Sequence, residues 1–457
     1  MQVAVLGAGY VGLATGACLA YLGHRVTCLD RNEKIVRSLG AGRVPFYEPG
    51  LERMVERGVR AGRLSFAGSG GLDGVVGSAD VVFIAVGTPQ GEDGSADLSS
   101  VADVARRIGS ALAGEGARER PLVVVNKSTV PVGGGDYVSD LVEEGAGGRG
   151  IAGFEVVSNP EFLREGSAVY DTLFPERIVV GADSPEPLEV MRALYDPIID
   201  QTFPTELDPR PRDAVPFVRT DLASAEMIKY AANAFLAAKI SLINEVSTLC
   251  ELTGADVGMV ANGIGLDGRI GSDFLDAGIG WGGSCFPKDV AALRAAARAY
   301  GHETPLLDAT VAVNEAQRGR VIEKLRRYLP DPNGKRVALL GLSFKPNTDD
   351  LRGAPSLQIA RSLGSLGARV VGYDPAAGKD AADLLPDGAT VVFDPYEALE
   401  GAHAAVLVTE WEALRGLDPH RAASLMRDPR LVVDGRNVLD PASWREAGLR
   451  YAGFGRE

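Results

Sequence analysis

Cys285 is the residue of this sequence best placed for covalent chemistry. It follows a glycine-rich run, residues 280–284, and precedes Pro287, Lys288 and Asp289. A thiolate is a strong nucleophile, and a neighbouring cation such as Lys288 lowers the pKa of a thiol. Glycines carry no Cβ and let the backbone approach a ligand closely. Most free cysteines are small buried hydrophobic residues, so a catalytic role depends on polar groups elsewhere in the chain.

The amino-terminal segment has the pattern of a dinucleotide site. The glycine motif reads Gly7-Ala8-Gly9-Tyr10-Val11-Gly12. A strand is predicted over 2–6, a helix over 13–22 and a second strand over 25–29, which ends at Asp30. The glycines admit a pyrophosphate to the helix N-terminus, where backbone N–H groups favour anions. Asp30 would bind a ribose 2′-hydroxyl and repel a 2′-phosphate, so NAD is predicted rather than NADP.

Polar residues follow the next predicted strands. Strands over 79–86 and 122–126 lead into segments that contain Thr88 and Thr129. The carboxyl ends of parallel strands meet at one edge of the sheet, where ligands bind in such folds.

A third strand, 154–158, leads into Glu161 and Glu165. Two carboxylates at a strand end are either general bases or acids of a first helical turn. Their spacing leaves both interpretations open.

Residues 221–252 contain neither Gly nor Pro and are predicted to form one long helix. Lys229 and Asn233 are four residues apart, so they share one face of it. Because this face is otherwise apolar and burial of unpaired polar groups is costly, the pair is predicted to donate hydrogen bonds to a developing alkoxide. A helix of about 45 Å is also a candidate for a homodimer interface.

The second half of the chain repeats the pattern without the glycine motif. Strands are predicted over 335–344, 368–373, 404–409 and 431–434, with a helix over 356–366. Such a domain would bind a different nucleotide, and its candidate cations are Lys345, Arg352 and Arg436.

Composition limits the classes of partner. With 457 residues the chain is too long for one core. Its formal net charge of -14 argues against nucleic acid and anionic membranes. No apolar run reaches transmembrane length, and four cysteines without pairing or metal spacing predict reduced thiols, no metal site and a cytoplasmic location.

These features resemble the nucleotide-sugar 6-dehydrogenases, a family with UDP-glucose and GDP-mannose branches. The resemblance spans residues 7–437 and rests on segments 7–12, 87–89, 128–131, 159–166, 229–233, 280–289, 344–352 and 434–437. Segments 175–179, 224–230 and 284–287 are similar to the UDP-glucose branch. The resemblance implies oxidation of UDP-glucose to UDP-glucuronate, for polysaccharide biosynthesis, with two NAD and no release of the aldehyde.

The resemblance also implies the architecture. The expected fold is an α/β protein with two Rossmann-like doubly wound parallel-sheet domains, joined by a long central helix and a helical middle domain. The expected boundaries are 1–205 for the NAD-binding domain, 214–305 for the central domain, 306–333 for a linker and helix, and 334–457 for the UDP-sugar-binding domain.

For the first oxidation, the resemblance implies that a water molecule held by Asp289 and Thr129 takes the proton of the sugar hydroxyl. Lys229 and Asn233 would stabilise the alkoxide.

The aldehyde would then be captured by Cys285 as a thiohemiacetal and oxidised to a thioester. Hydrolysis would use Glu161, or alternatively Glu165, as the general base. Thiolate attack divides a difficult oxidation into two steps.

The family's binding residues map onto this sequence as follows. The substrate would contact Glu161, Phe162, Leu163, Arg164, Glu165, Lys229, Asn233, Arg269, Phe274, Leu275, Gly278, Gly280, Cys285, Lys345 and Arg436. NAD would contact Gly7, Gly9, Tyr10, Val11, Gly12, Asp30, Lys34, Thr88, Pro89, Thr129, Glu165, Lys288 and Arg352.

Three rival interpretations remain. GDP-mannose or a UDP-N-acetylhexosamine could be the substrate of the same reaction. A two-electron hydroxyacid dehydrogenase of similar fold can share the Lys and Asn pair, but Cys285 and the second nucleotide domain argue against it. A non-catalytic sensor of NAD or nucleotide sugars would not need Cys285, Asp289 and Glu161.

Overall fold

The structure, a computed structural model, describes residues 1–114, 118–148, 153–205 and 213–456. The chain divides into two compact units. The first comprises Met1–Ala232 and Ala291–Gly301, and the second comprises Asn233–Val290 and the chain from His302 onward.

The first unit is built on an eight-stranded sheet. Its strands are β1 (Gln2–Leu6), β2 (Arg25–Asp30), β3 (Leu64–Gly68), β4 (Val81–Ile84), β5 (Leu122–Asn126), β6 (Phe154–Ser158), β7 (Ile178–Gly181) and β8 (Phe217–Thr220). Its helices are α1 (Tyr10–Tyr21), α2 (Glu33–Gly40), α3 (Leu51–Arg60), α4 (Leu72–Ser78), α5 (Ser99–Ala113), α6 (Gly134–Gly145), α7 (Ala168–Leu173) and α8 (Pro185–Ile199), with a 3-10 turn at Ser69–Gly71. The strand order is β3-β2-β1-β4-β5-β6-β7-β8, and neighbouring strands are parallel except β6 and β7.

Both faces of this sheet are buried. The side chains of β4 are fully buried, as a near-continuous apolar strand between two helical layers should be. Residues of α1, α3, α7 and α8 pack on one face, and residues of α4, α5 and α6 pack on the other.

The second unit contains a six-stranded sheet and the long helix. Helix α9 (Leu222–Thr253) begins in the first unit and continues in the second. The further helices are α10 (Val257–Gly265), α11 (Phe286–Ala299), α12 (Pro305–Tyr328), α13 (Pro355–Ser365), α14 (Gly378–Ala381), α15 (Pro395–Leu399), α16 (Glu412–Arg415), α17 (Pro419–Leu425) and α18 (Pro441–Glu446), with a 3-10 turn at Ala382–Leu384. The strands are β9 (Arg336–Leu340), β10 (Arg369–Tyr373), β11 (Thr390–Val392), β12 (Ala404–Leu407), β13 (Leu431–Asp434) and β14 (Arg450–Ala452). Their order is β11-β10-β9-β12-β13-β14, and all pairs are parallel.

The predicted fold class is confirmed, with corrections at the ends of elements. The first helix begins at Tyr10 rather than at residue 13, because Gly9 already serves as its N-cap. Strands predicted over 79–86 and 335–344 end early, at Ile84 and Leu340, because their polar ends form loops. The antiparallel β7 was not predicted.

The four-part division of the chain stays a prediction, and its first boundary falls at residues 206–212, outside the described residues. No helix among the described residues has both the length and the apolar character needed to cross a bilayer.

The two sheets differ in the acid at the end of their second strand. Asp374, which follows β10, is 3% exposed and accepts hydrogen bonds from six donors. These donors are the N–H groups of Leu342, Ser343, Ala376 and Ala377, the Ser343 hydroxyl and the Trp411 indole N–H. The protein's own groups therefore saturate this carboxylate, and a ribose has no access to it.

Replacing Asp374 with Asn is expected to lower the free energy of unfolding by about 3 kcal/mol, because an NH₂ group would face buried N–H donors. Chemical unfolding monitored by tryptophan fluorescence would measure the loss. Asp418→Asn is the control, since Asp418 is an exposed N-cap of α17 and Asn caps helices equally well. Equal losses in both variants would contradict this account.

Candidate active site

The loop between β1 and α1, the predicted pyrophosphate cradle, is closely packed at two of its glycines and open at the third. A Cβ on Gly12 would lie 1.9 Å from the carbonyl oxygen of Gly7, and one on Gly7, whose φ is +105°, would lie 2.5 Å from that of Ala85. Both glycines are therefore required by the fold. Gly9 faces open space, because a Cβ there would meet no atom within 4 Å. The open side of the loop therefore lies at the N-terminus of α1, a position that favours an anion such as a pyrophosphate.

Asp30 ends β2 beside this cradle. Its Oδ2 accepts the N–H of Ala8 at 2.9 Å, and its Oδ1 accepts the N–H of Asn32 at 2.8 Å. Asn32 in turn caps α2 through the N–H of Lys34. Unlike Asp374, this half-buried carboxylate keeps acceptor capacity for a ribose hydroxyl.

The other predicted cofactor residues of the first unit lie nearby in the fold. Tyr10 packs its ring on Phe46 at a centroid distance of 4.0 Å, and Val11 follows it in α1. Thr88 and Thr129 follow the adjacent strands β4 and β5. The carbonyl of Pro89, next to Thr88, accepts the N–H of Asp97.

Lys229 and Glu161 form a buried ion pair in the first unit. The Lys229 Nζ lies 3.1 Å from Glu161 Oε1 and 2.6 Å from the Glu161 carbonyl oxygen. The N–H of Leu163 donates to Glu161 Oε2 at 2.6 Å. Burial raises the pKa of Glu161, but Lys229, the Leu163 N–H and Lys127 together outweigh burial and hold this pKa below its usual range. Glu161 is therefore a carboxylate at neutral pH.

The structure distinguishes the two acids that the sequence left equivalent. Neither Glu161 nor Glu165 lies in a helical turn, since α7 begins only at Ala168. Glu161 is buried against Lys229, whereas Glu165 is partly exposed. Arg164 is bound through its backbone and its guanidinium to Asp171.

Lys127 is a residue of this cluster that the sequence analysis did not single out. It is 8% exposed, and its Nζ donates to Asn159 Oδ1 at 3.1 Å. Burial, with a smaller contribution from Lys229, lowers the pKa of Lys127 to about 8, although Glu161 opposes this shift. The available signal was its position directly after the predicted strand 122–126, at the ligand-binding edge of the sheet.

In the second unit, Asn233 and Asp289 face each other. Asn233 Nδ2 donates to Asp289 Oδ2 at 2.6 Å, and the Lys288 Nζ pairs with Asp289 Oδ1. Asp289 lies in the first turn of α11, where its N–H donates to the Cys285 carbonyl at 2.9 Å. Cys285 thus precedes a helix N-terminus, a position that favours a thiolate.

Two buried asparagines hold the loop that leads to Cys285. Asn244 of α9 accepts the N–H of Gly278 at 2.8 Å. Asn314 of α12 accepts the N–H of Trp281 at 2.7 Å and donates to its carbonyl at 3.0 Å. A Cβ on Gly280 would lie 2.3 Å from Asn314 Oδ1, so this position requires glycine. Sequence analysis missed both asparagines, because the backbone groups that they bind lie more than 30 residues away in the chain.

Arg436 braces the same loop. Its guanidinium donates to the carbonyl oxygens of Val408, Gly280 and Phe344 at 2.7, 3.3 and 3.1 Å. It also lies 3.2 Å from the Glu410 carboxylate. Much of its donor capacity is therefore used within the protein.

Three further cationic side chains, those of Arg269, Arg352 and Lys345, are predicted to bind substrate or NAD. Arg269 is 89% exposed and pairs with Asp267. Arg352 is 64% exposed and pairs with Asp350. Lys345 lies 5.5 Å from the centroid of the Phe344 ring.

Two further predicted substrate residues, Phe274 and Leu275, lie before Gly278. Leu275 is buried. The ring of Phe274 packs near that of Phe286, at a centroid distance of 6.2 Å.

Comparison with known proteins matches three stretches of the chain to one family. The NAD binding domain of the UDP-glucose/GDP-mannose dehydrogenase family matches residues 1–199, its central domain 223–316 and its UDP binding domain 338–441. The chain belongs to this family.

Curated relatives agree with this membership. The chain is 46% identical over 463 residues to the UDP-glucose 6-dehydrogenase of Rhizobium meliloti (strain 1021), with 100% of both chains covered. It is 43% identical over 455 residues to UDP-glucose 6-dehydrogenase TuaD of Bacillus subtilis (strain 168), covering 100% of this chain and 93% of the relative.

A solved structure, the UDP-glucose dehydrogenase of the hyperthermophilic archaeon Pyrobaculum islandicum, superposes with a TM-score of 0.89 at 41% identity, covering 100% of this chain and 98% of that one. The predicted family, the dehydrogenase activity and the NAD cofactor are thereby confirmed.

Gly9→Ala is expected to leave the melting temperature unchanged but to weaken NAD binding at least about tenfold, roughly 1.4 kcal/mol. The added methyl group meets no protein atom, yet it occupies the cradle of this dehydrogenase. Calorimetric titration with NAD and thermal unfolding measure the two effects.

Gly70→Ala, at another open glycine, is the control and should change neither quantity. Unaltered NAD affinity in Gly9→Ala would exclude this loop as the pyrophosphate site.

Proposed function

We propose that the protein oxidises the C6 alcohol of UDP-glucose to the carboxylate of UDP-glucuronate through a thioester on Cys285. The observation that carries this proposal is the position of Cys285 before the N-terminus of α11, one helical turn from Asp289. Bound NAD would accept a hydride in each of the two oxidations.

The first oxidation needs groups that stabilise an alkoxide and accept a proton. Lys229 and Asn233 lie one turn apart on α9 and both carry N–H donors. Such donors stabilise a developing oxyanion in a site that excludes water. Asp289, bonded to Asn233, would direct the water that takes the hydroxyl proton. The assignment of Thr129 to the same water stays a prediction.

The second half of the reaction uses the thiol. The Cys285 thiolate would attack the aldehyde carbon to give a thiohemiacetal, which on oxidation becomes a thioester. A covalent aldehyde cannot diffuse away, which accounts for a four-electron oxidation without release of the intermediate. Glu161, ionised beside Lys229, would then take a proton from the hydrolytic water.

Sequence identity favours UDP-glucose over the alternative sugars. Relatives named UDP-glucose 6-dehydrogenase reach 46% and 43% identity. The UDP-D-ManNAc dehydrogenase of Pyrococcus horikoshii is 25% identical, although its TM-score is 0.82. The match to a UDP binding domain weighs against a simple hydroxyacid dehydrogenase. The other substrate and cofactor contacts predicted above remain predictions.

Wild-type protein with UDP-glucose and excess NAD is expected to form two NADH per sugar consumed. Cys285→Ser should fail to complete the oxidation, because a hydroxyl cannot form the thioester. Stopped assays that quantify NADH, UDP-glucose and UDP-glucuronate would measure this.

Cys250→Ala, a change at a buried free cysteine, is the control and should keep the stoichiometry. One NADH per sugar in both wild type and Cys285→Ser would refute the covalent mechanism.

A homodimer through α9 is part of the proposal. Phe235, Leu242, Leu249 and Leu252 are 67%, 59%, 56% and 78% exposed. Their intervals of seven, seven and three residues place them on one stripe of the helix, the pattern by which two helices pair. A second copy of the same stripe is its simplest apolar partner, since twofold interfaces bring identical surfaces together.

Leu242→Glu is expected to convert a dimer into a monomer, because two carboxylates would meet at the centre of the interface. Light scattering after size exclusion gives the mass directly. Phe393→Glu, at a residue 70% exposed beyond β11, is the matched control. A dimeric Leu242→Glu variant would place the interface elsewhere.

The cytoplasmic location also remains a prediction. The four cysteines are free thiols, and burial raises the pKa of Cys18 and of Cys28 to about 12, which keeps both unreactive. Free thiols of this kind are compatible with a reducing compartment.

A further inference from the structure

The buried Lys229–Glu161 ion pair has a second ammonium group, that of Lys127, beside it. Lys229, Lys127 and Glu161 are 4%, 8% and 8% exposed, so two ammonium groups and one carboxylate are buried together. Lys229 bonds Glu161 directly. Among the described residues, Lys127 has no carboxylate within ion-pair distance, and its hydrogen bond goes to the Asn159 amide oxygen.

The surroundings of Lys127 fix its position firmly. Asn159 Oδ1 also accepts the Tyr195 hydroxyl at 2.7 Å. Asn159 Nδ2 donates to the Val179 carbonyl at 2.8 Å, and its backbone N–H donates to the Asn126 carbonyl at 2.9 Å. The amide is therefore held on both sides and presents its oxygen to the ammonium.

Stability alone does not account for this arrangement. Burying an ammonium is costly, and replacing buried ionic groups by apolar ones of similar volume is often neutral or stabilising. Burial is the main cause that lowers the pKa of Lys127; attraction by Glu161 opposes this shift, and repulsion by Lys229 adds to it. Perturbed groups of this kind concentrate at functional sites.

Two further titratable side chains lie near the cluster, Tyr195 and Arg177, and neither is bonded to Glu161 among the described contacts. Tyr195 is neutral, because burial raises its pKa. Arg177 stacks on the ring of Phe162 at 3.9 Å from its centroid, and the Lys229 Nζ lies 5.4 Å from the same ring. The positive charges of Lys229 and Lys127 both lower the pKa of Glu161.

We propose that Lys127 is a positioning residue for thioester hydrolysis, whose ammonium keeps Glu161 in the carboxylate form while Lys229 is engaged by the substrate oxyanion. This inference rests on the proposed function. During the reaction Lys229 would divide its donors between Glu161 and the oxyanion. Lys127, held by Asn159, supplies a positive charge that does not move.

The step at which this matters is the attack of water on the thioester. A water oxygen forms a bond to the carbonyl carbon while Glu161 takes a proton from that water. The carbon–sulfur bond then breaks, sulfur leaves with the electron pair as the Cys285 thiolate, and the sugar carboxylate is released. A protonated Glu161 cannot accept the proton, so hydrolysis depends on its ionisation.

The test compares Lys127→Met and Lys127→Arg with wild type. Met has a similar length without the charge, and Arg keeps the charge at every accessible pH. The protein is mixed with UDP-glucose and NAD from mildly acidic to mildly alkaline pH. Quenched samples are analysed by intact mass for acylated Cys285, and steady-state turnover is followed in parallel.

In Lys127→Met, the acid limb of the hydrolysis rate profile is expected to shift to higher pH by about one unit. This is the lower end of the pKa change that a neighbouring charge produces. Hydrolysis at the acid end then slows about tenfold, and acylated Cys285 accumulates there but not at alkaline pH. Lys127→Arg should restore the wild-type limb.

Lys239→Met is the matched control, since it removes one lysine charge from α9 at a position where the ammonium donates to the carbonyls of Ile270 and Gly271. It should leave the pH profile unchanged.

Three results would overturn the inference. An unshifted acid limb in Lys127→Met would show that Glu161 does not need this charge. A Lys127→Arg profile like that of Lys127→Met would mean that shape rather than charge matters. Uniform slowing at all pH with a lower melting temperature would indicate a purely structural role.

The wild-type arm separates this inference from the proposed function. If wild type releases one NADH per sugar and never carries an acyl group, the thioester mechanism itself fails. If wild type forms the thioester and Lys127→Met hydrolyses it normally, only the role of Lys127 fails.

Discussion

The ion pair between Lys229 and Glu161 is the interaction around which the chemistry of the first unit is arranged. Lys229 donates both to the Glu161 carboxylate and to its backbone carbonyl, so the helix and the loop after β6 hold each other in place. The same bond keeps a buried acid ionised against the cost of burial. A single contact thus orients the loop and sets the charge of a proposed base.

Side chains of the long helices α9 and α12 hold the loop that leads to Cys285. In the second unit, Asn244 and Asn314 hold the backbone of the loop before Cys285, while Asn233 holds Asp289 at the start of α11. Amide side chains suit this task because they offer a donor and an acceptor at once. The thiol therefore sits in a segment that is glycine-rich yet firmly bonded.

The two sheets show how related folds acquire different ligands. The Asp30 carboxylate accepts hydrogen bonds from two backbone N–H groups and can accept more. The Asp374 carboxylate already accepts six hydrogen bonds from its own unit. The first acid remains available to a ribose, and the second has become part of the core. This contrast agrees with the separate NAD binding and UDP binding domains of the family.

The sequence by itself determined the fold class, the glycine motif with Asp30, the shared face of Lys229 and Asn233, and Cys285 as the nucleophile candidate. The glycine motif with Asp30 and the shared face of Lys229 and Asn233 depend on spacing within a short segment, which strand and helix periodicity translate directly into position. Only the tertiary structure decided that Glu161 is buried against Lys229 and that Lys127 is buried beside them. Those outcomes depend on contacts between residues far apart in the chain, and burial sets the cost of a charge only after such contacts form.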